Sequence, residues 1–148
     1  MEKFAELNGW NITFERLDSW VAGCFAKFYY GSSTNFIFGK DGPDEGAWIM
    51  TVANPQWSSN ERGTDYEMNY TFDGRRTWKV LHWGIENGLA SEVLKEELIN
   101  DFAGSSVLEI RHGNRRIEQF ALRGTLAATN AVKECHRIRV QKSDPFAN

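Results

Sequence analysis

From Tyr66 to Phe72 the chain alternates without a break, with Tyr66, Met68, Tyr70 and Phe72 on one parity and Glu67, Asn69 and Thr71 on the other. Successive side chains of a strand point to opposite faces, so this pattern predicts a strand with one buried face. Asp73-Gly74 stops it with a dipeptide suited to a tight hairpin, and Thr77–Trp83 is the predicted return strand. Trp10, Ile12 and Phe14 alternate with Asn11, Thr13 and Glu15 in the same way. Trp20 to Tyr30 is apolar or aromatic on both parities, which predicts a central strand covered on both faces. Thr34–Phe38 and Ala47–Ala53 are two further strands, separated by Gly39 to Gly46, which reads as a polar loop. Asn54-Pro55 closes the second of these, because proline lacks the N–H a ladder needs, and Trp57 to Thr64 follows as a loop.

The period then changes. Ser91 is placed to cap a helix, with Glu92 complementing its dipole and Leu94, Leu98 and Phe102 forming a stripe that ends at Gly104. Val107–Arg111 and Arg116–Leu122 flank His112-Gly113-Asn114-Arg115 as a second hairpin. Ile117 and Phe120 fall on opposite parities, so that strand carries a bulge or is covered on both faces. Thr125 is the expected N-cap of a closing helix whose apolar stripe is Ala128, Ala131, Val132, Cys135 and Ile138. The pattern predicts an α+β, β-rich fold: an antiparallel β-sandwich or strongly curved sheet of about eight strands, one helix after the meander and one C-terminal amphipathic helix. Residues 1–140 read as a single domain and 141–148 as a loose tail.

Composition adds that the whole domain folds, since 41% hydrophobic and 14% aromatic residues lie far from the composition of disordered chains. A formal charge of -3 provides no global positive field, so nucleic acid is not an expected partner. No apolar run reaches the roughly 18–20 residues of a membrane span, and Met1-Glu2-Lys3-Phe4 lacks the apolar core of a leader. A leader already removed gives the same start, so the expected location is the periplasm or cell envelope in that case and the cytoplasm otherwise. Cys24 and Cys135 lack any C-x-x-C spacing, which argues against a structural metal. They are either joined, which would stabilise the fold by up to about 4–5 kcal/mol, or two small buried apolar side chains.

Little of the sequence reads as chemistry. A thiol nucleophile at Cys24 would need His82, His112 or His136 as its base, but Cys24 lies mid-strand among apolar residues, where burial raises a thiol's pKa. The histidines are too far apart to mark a metal site and read as surface or turn residues. Among Asp65, Glu67, Asp73 and Glu86 no carboxylate pair stands out for acid–base work. Gly39 to Gly46 carries acids and no phosphate-binding pattern. Arg123-Gly124-Thr125 reads as a cap and turn, and the basic residues Arg111, Arg115, Arg116 and Arg123, offset by Glu109 and Glu118, as a solvated face. The remaining candidate is Asn54 to Asp65, where Trp57 and Arg62 stand in a polar loop and are residue types that anchor interfaces; the alternative for Trp57 is that it folds back to cap the sheet edge. No cofactor is expected.

The string Phe120-Ala121-Leu122-Arg123-Gly124-Thr125-Leu126-Ala127-Ala128, continuing to Val132 and Cys135, resembles the C-terminal signature of bacterial envelope proteins of the invasion-associated locus B type. The resemblance implies a small, non-enzymatic, β-sandwich-like domain of the periplasm or cell surface and carries over no catalytic residue. Three functions follow from the sequence, in order. The first is a non-enzymatic envelope accessory or protein-binding module, acting through the Trp57 loop and lacking a deep polar pocket. The second is an immunity-type inhibitor of a partner enzyme. The third is a Cys/His hydrolase.

Overall fold

Short polar turns join most successive strands, and such connections permit only antiparallel pairing. In the computed structural model, which describes residues 2–16, 22–31, 33–58 and 60–140, this produces one sheet. Its strands are β1 (Glu2–Leu7), β2 (Trp10–Arg16), β3 (Ala22–Tyr29), β4 (Asn35–Asp41), β5 (Ala47–Ala53), β6 (Asp65–Phe72), β7 (Arg76–Ile85), β8 (Gly88–Ser91), β9 (Val107–His112) and β10 (Arg115–Ala121). They are hydrogen-bonded in the order β1-β2-β3-β4-β5-β8-β7-β6-β9-β10. Among the described residues the strands therefore number ten rather than about eight. Both additions escape a periodicity reading: β1 is an edge strand with no fully buried residue, and β8 has only four residues. Trp20 and Val21 of the predicted second strand, and the predicted tail from Gln141, lie outside the described residues.

The sheet is rolled. Phe36 on β4 and Phe120 on β10 are six strand positions apart, roughly 29 Å in a flat sheet, yet their ring centroids lie 4.9 Å from each other. The Tyr30 hydroxyl, just past β3, donates to the Ala121 carbonyl of β10 at 3.0 Å. The concave side holds the core, in which Trp10, Phe36 and Phe38 surround Phe102 of helix α1 (Glu96–Gly104) with edge-on and stacked contacts. Two indole N–H groups hang this helix from the sheet, Trp48 donating to Glu96 and Trp78 to Asp101, each at 2.8 Å. Helix α2 (Thr125–Cys135) packs against β1 to β4, and its Cys135 is disulfide-bonded to Cys24 of β3, with both residues fully buried.

Some local expectations shift for identifiable reasons. β4 runs on to Asp41 through the predicted loop because Gly39 admits the Phe25 ring of β3: a Cβ there would lie 2.4 Å from both Phe25 Cδ1 and the Cys24 carbonyl. The outer face of β3 is thus covered locally by its own Phe25, while Tyr29 on the same face is 61% exposed. Ser91 does not cap a helix. It ends β8, its hydroxyl accepting the Met50 N–H and donating to the Glu92 carbonyl, and Leu94 makes a strand-like bridge to Trp48 before α1 begins. The expected bulge in β10 falls between Arg116 and Glu118. At α2 the cap position is Gly124 in the left-handed region (φ +75), and the Thr125 hydroxyl instead donates toward the Leu122 and Phe102 carbonyls. A wider π-helical turn, His136–Val140, follows α2. Its larger circumference moves the buried stripe from Ile138 to His136 and Val140.

Candidate functional site

The described residues between β5 and β6, 54–58 and 60–64, form no strand or helix, and side-chain amides pin them in place. Asn54 Oδ1 accepts the Gln56 N–H and the Asn54 carbonyl accepts the Trp57 N–H, each at 2.9 Å, a local turn of the kind asparagine favours. Asn87 in the β7–β8 turn donates its amide to the Trp57 carbonyl, and Asn60 donates to the carbonyls of Ile85 (2.8 Å) and Gly88 (2.9 Å). The Glu61 N–H is received by the Tyr66 hydroxyl at 2.8 Å. Gly84 makes this docking possible: any Cβ there would stand 1.9 Å from the Glu61 carbonyl oxygen.

Facing this loop is the β9–β10 hairpin, which turns at Gly113 with φ +61. His112 meets Tyr66 edge to face at 5.6 Å between ring centroids. Between loop and hairpin lies a cleft of about 440 Å³. Trp57, Tyr66, Met68, Leu89 and Ile117 give it apolar surface, and Gln56, Ser58, Asn60, His112, Arg115 and Arg116 give it polar groups. Among the described residues, no carboxylate lines it. Arg116 is partly engaged, reaching Gln119 at 3.1 Å and Glu109 at 3.8 Å, and Glu109 also holds Arg111 at 2.5 Å. Arg115 is exposed and makes no ion pair among the described residues. The Asn60 amide nitrogen donates both of those bonds, and its Oδ1 is buried without a partner among the described residues.

The two loop residues singled out by sequence separate here. Trp57 lines the cleft and packs against the core, whereas Arg62 is exposed outside it and bridges Gly84 through its backbone. The basic hairpin, expected to be a solvated face, contributes Arg115 and Arg116 to the opposite wall. Tyr66, Met68 and Leu89 carried only the signal of core positions. The one local hint was the excess of arginine over acid around the hairpin turn.

The other chemical candidates are built into the fold. Cys24, bonded to Cys135, presents no thiolate in this form. His82 and His136 are buried rather than at the surface, 1% and 2% exposed, while His112 is exposed. His82 Nε2 lies 2.6 Å from the Tyr70 hydroxyl and its Nδ1 has no partner. Burial pushes the His82 pKa down to about 4 and raises that of Tyr70. His136 Nε2 donates to the Gly42 carbonyl at 2.8 Å, and burial, the largest influence, lowers its pKa while raising that of nearby Asp41.

Among the described residues, no three His, Cys, Asp or Glu side chains are grouped to hold a metal ion, and no helix is long and apolar enough to cross a membrane. No family model, curated protein or solved structure matches the chain.

Proposed function

We propose that this chain is a non-enzymatic binding module of a bacterial envelope compartment and that it engages its partner in the cleft beside the Trp57 loop. The observation that carries this reading is the cleft itself. A partly buried tryptophan and four other apolar side chains face convergent amide, imidazole and guanidinium donors, the mixture by which binding pockets combine apolar contact with a few orienting polar groups. A rigid frame supports it, because the loop is fastened to β7 and β8 by the bonds of Asn60 and Asn87. The Cys24–Cys135 bond favours an oxidising compartment, where such bonds persist, and the envelope resemblance of the C-terminal string points the same way.

The test is amide and indole chemical-shift mapping of the oxidised protein against mixtures of small apolar and polar organic compounds, with the Trp57 signal assigned from Trp57→Phe. The expected hits move the signals of Trp57, Asn60 and Arg115 together. Hits that leave these three still and cluster elsewhere, or a complete absence of hits, would overturn the assignment of the cleft.

A further inference from the structure

We infer that the cleft's ligand is a small amphiphilic anion, an apolar body seated over Met68 and Leu89 with its carboxylate, sulfonate or phosphate head at Arg115 and Arg116. The inference rests on the binding reading above and adds the chemical class. Charge decides the head group. The chain carries a net -3, yet this cleft has two guanidinium groups and an imidazole on one wall and, among the described residues, no carboxylate in its lining. Glu109, the acid within reach of Arg116, already serves Arg111 at 2.5 Å and stands 3.8 Å from Arg116, which leaves that guanidinium donors to offer. Arg115 has no ionic partner among the described residues and sits at the rim. Two guanidinium groups in one lining suit an oxyanion in charge and in the hydrogen-bond donors they offer. A cationic ligand would meet these guanidinium groups with no acid in the lining among the described residues.

The floor decides the body. Met68 and Leu89, 2% and 6% exposed, close its base, and the partly buried Trp57, Tyr66 and Ile117 above them offer an apolar surface that an inorganic anion would leave unused. Apolar contact there contributes on the same scale as charged hydrogen bonds to the guanidinium groups. Affinity therefore requires both halves in one molecule. The volume, about 440 Å³, lies in the range of small-molecule sites, roughly 300–1,000 Å³.

Two aromatic dyes of nearly the same body separate these contributions: 8-anilinonaphthalene-1-sulfonate, which is anionic, and N-phenyl-1-naphthylamine, which is neutral. Each is titrated into the oxidised native protein, into the Arg115→Gln/Arg116→Gln double variant and into Ser58→Trp, which adds bulk at an exposed rim position. The sulfonate should bind saturably, about tenfold more tightly than the neutral dye, and lose about that factor in the arginine double variant. Ser58→Trp should weaken both dyes. If the neutral dye binds equally well, or the arginine variant holds the sulfonate unchanged while Ser58→Trp still blocks it, the anionic class is wrong and the cleft reading survives. If neither dye binds, or Ser58→Trp affects neither, the cleft reading fails and the anion inference with it.

Discussion

Reducing the bond between Cys24 and Cys135 should cost most of this domain's margin of stability without altering its native shape. The bond spans a sequence separation of 111 residues. In the chain-entropy model, opening a loop of that length frees the unfolded chain by about 4.7 kcal/mol at 25 °C. Unfolding entropy of about 2.1 cal/mol/K per residue gives about 0.3 kcal/mol/K for a chain of 148 residues, so that loss lowers the Tm by roughly 15 °C. Residual structure in the reduced unfolded chain trims the effect, and a drop of about 10–15 °C is expected. The folded state should hold its form. Ala128 and Val132 of α2 are fully buried against the sheet regardless of the bond, so the helix stays docked. The assay is thermal and urea unfolding of oxidised and reduced wild type, followed by near- and far-UV circular dichroism, with Cys24→Ala/Cys135→Ala as a second reduced form. Native spectra at 25 °C should superimpose. A Tm change below about 3 °C would refute the loop-entropy reasoning, and an altered native near-UV spectrum would show that the bond, rather than packing, holds α2 on the sheet.

His82 supplies a pH prediction. Its folded pKa of about 4 lies below its ordinary 6.5, so the unfolded chain binds the extra proton first and stability falls as the pH drops from 6.5 toward 4, by about 3 kcal/mol at the lower end. Carboxylates titrate in the same window, so the readout is the difference between wild type and His82→Gln in urea midpoints at pH 7 and pH 4.5; equal acid losses would exclude His82 as a source. Gly84→Ala drives a Cβ into the Glu61 carbonyl and should cost roughly 1–3 kcal/mol while loosening the Trp57 loop, seen as at least tenfold faster tryptic cutting after exposed Arg62; an unchanged cutting rate would contradict the role given to Gly84. Phe102→Ala removes the ring that Trp10, Phe36 and Phe38 enclose and should cost about 3–5 kcal/mol in urea unfolding. A cost under about 1 kcal/mol would mean that the core closes over the gap.

Elements are legible in this chain in proportion to how asymmetrically they are buried. Ala47–Ala53 is a strand with the predicted bounds, and Tyr66 to Phe72 lies within β6. On these strands Trp48, Met50 and Val52, then Met68, Tyr70 and Phe72, face the core on one parity. β1 has no such contrast, since its two faces are both partly exposed at the sheet edge. The start of α1 misleads for a different reason. Ser91 and Leu94 have the chemistry of a cap and a first helical turn, but tertiary pairing claims both, Ser91 through the Met50 N–H and Leu94 through the Trp48 carbonyl. Local preferences of a few tenths of a kcal/mol yield to such bonds. At the other end the stripe Ala128, Val132, Cys135 is buried as the spacing predicts, and it loses register only where the helix widens beyond Cys135.

The cleft is the least legible feature because no single segment contains it. Trp57 and Arg115 are distant in sequence, and what joins them is the roll of the sheet, which brings the β10 hairpin round toward the loop after β5. Read one strand at a time, Arg111, Arg115 and Arg116 look like a solvated basic face offset by neighbouring acids. For Arg111 and Arg116 that picture is partly right, since Glu109 reaches both. It fails for Arg115, which has no ion pair among the described residues. Antiparallel pairing sets Glu109 opposite Gln119 and Arg116 opposite Arg111, so the register itself places one acid within reach of two arginines and sends the third to the rim. Counting charges along the chain could not separate these three cations, whereas pairing them across the hairpin does. The excess positive charge of the cleft is a consequence of strand register acting on an otherwise ordinary mixture of residues.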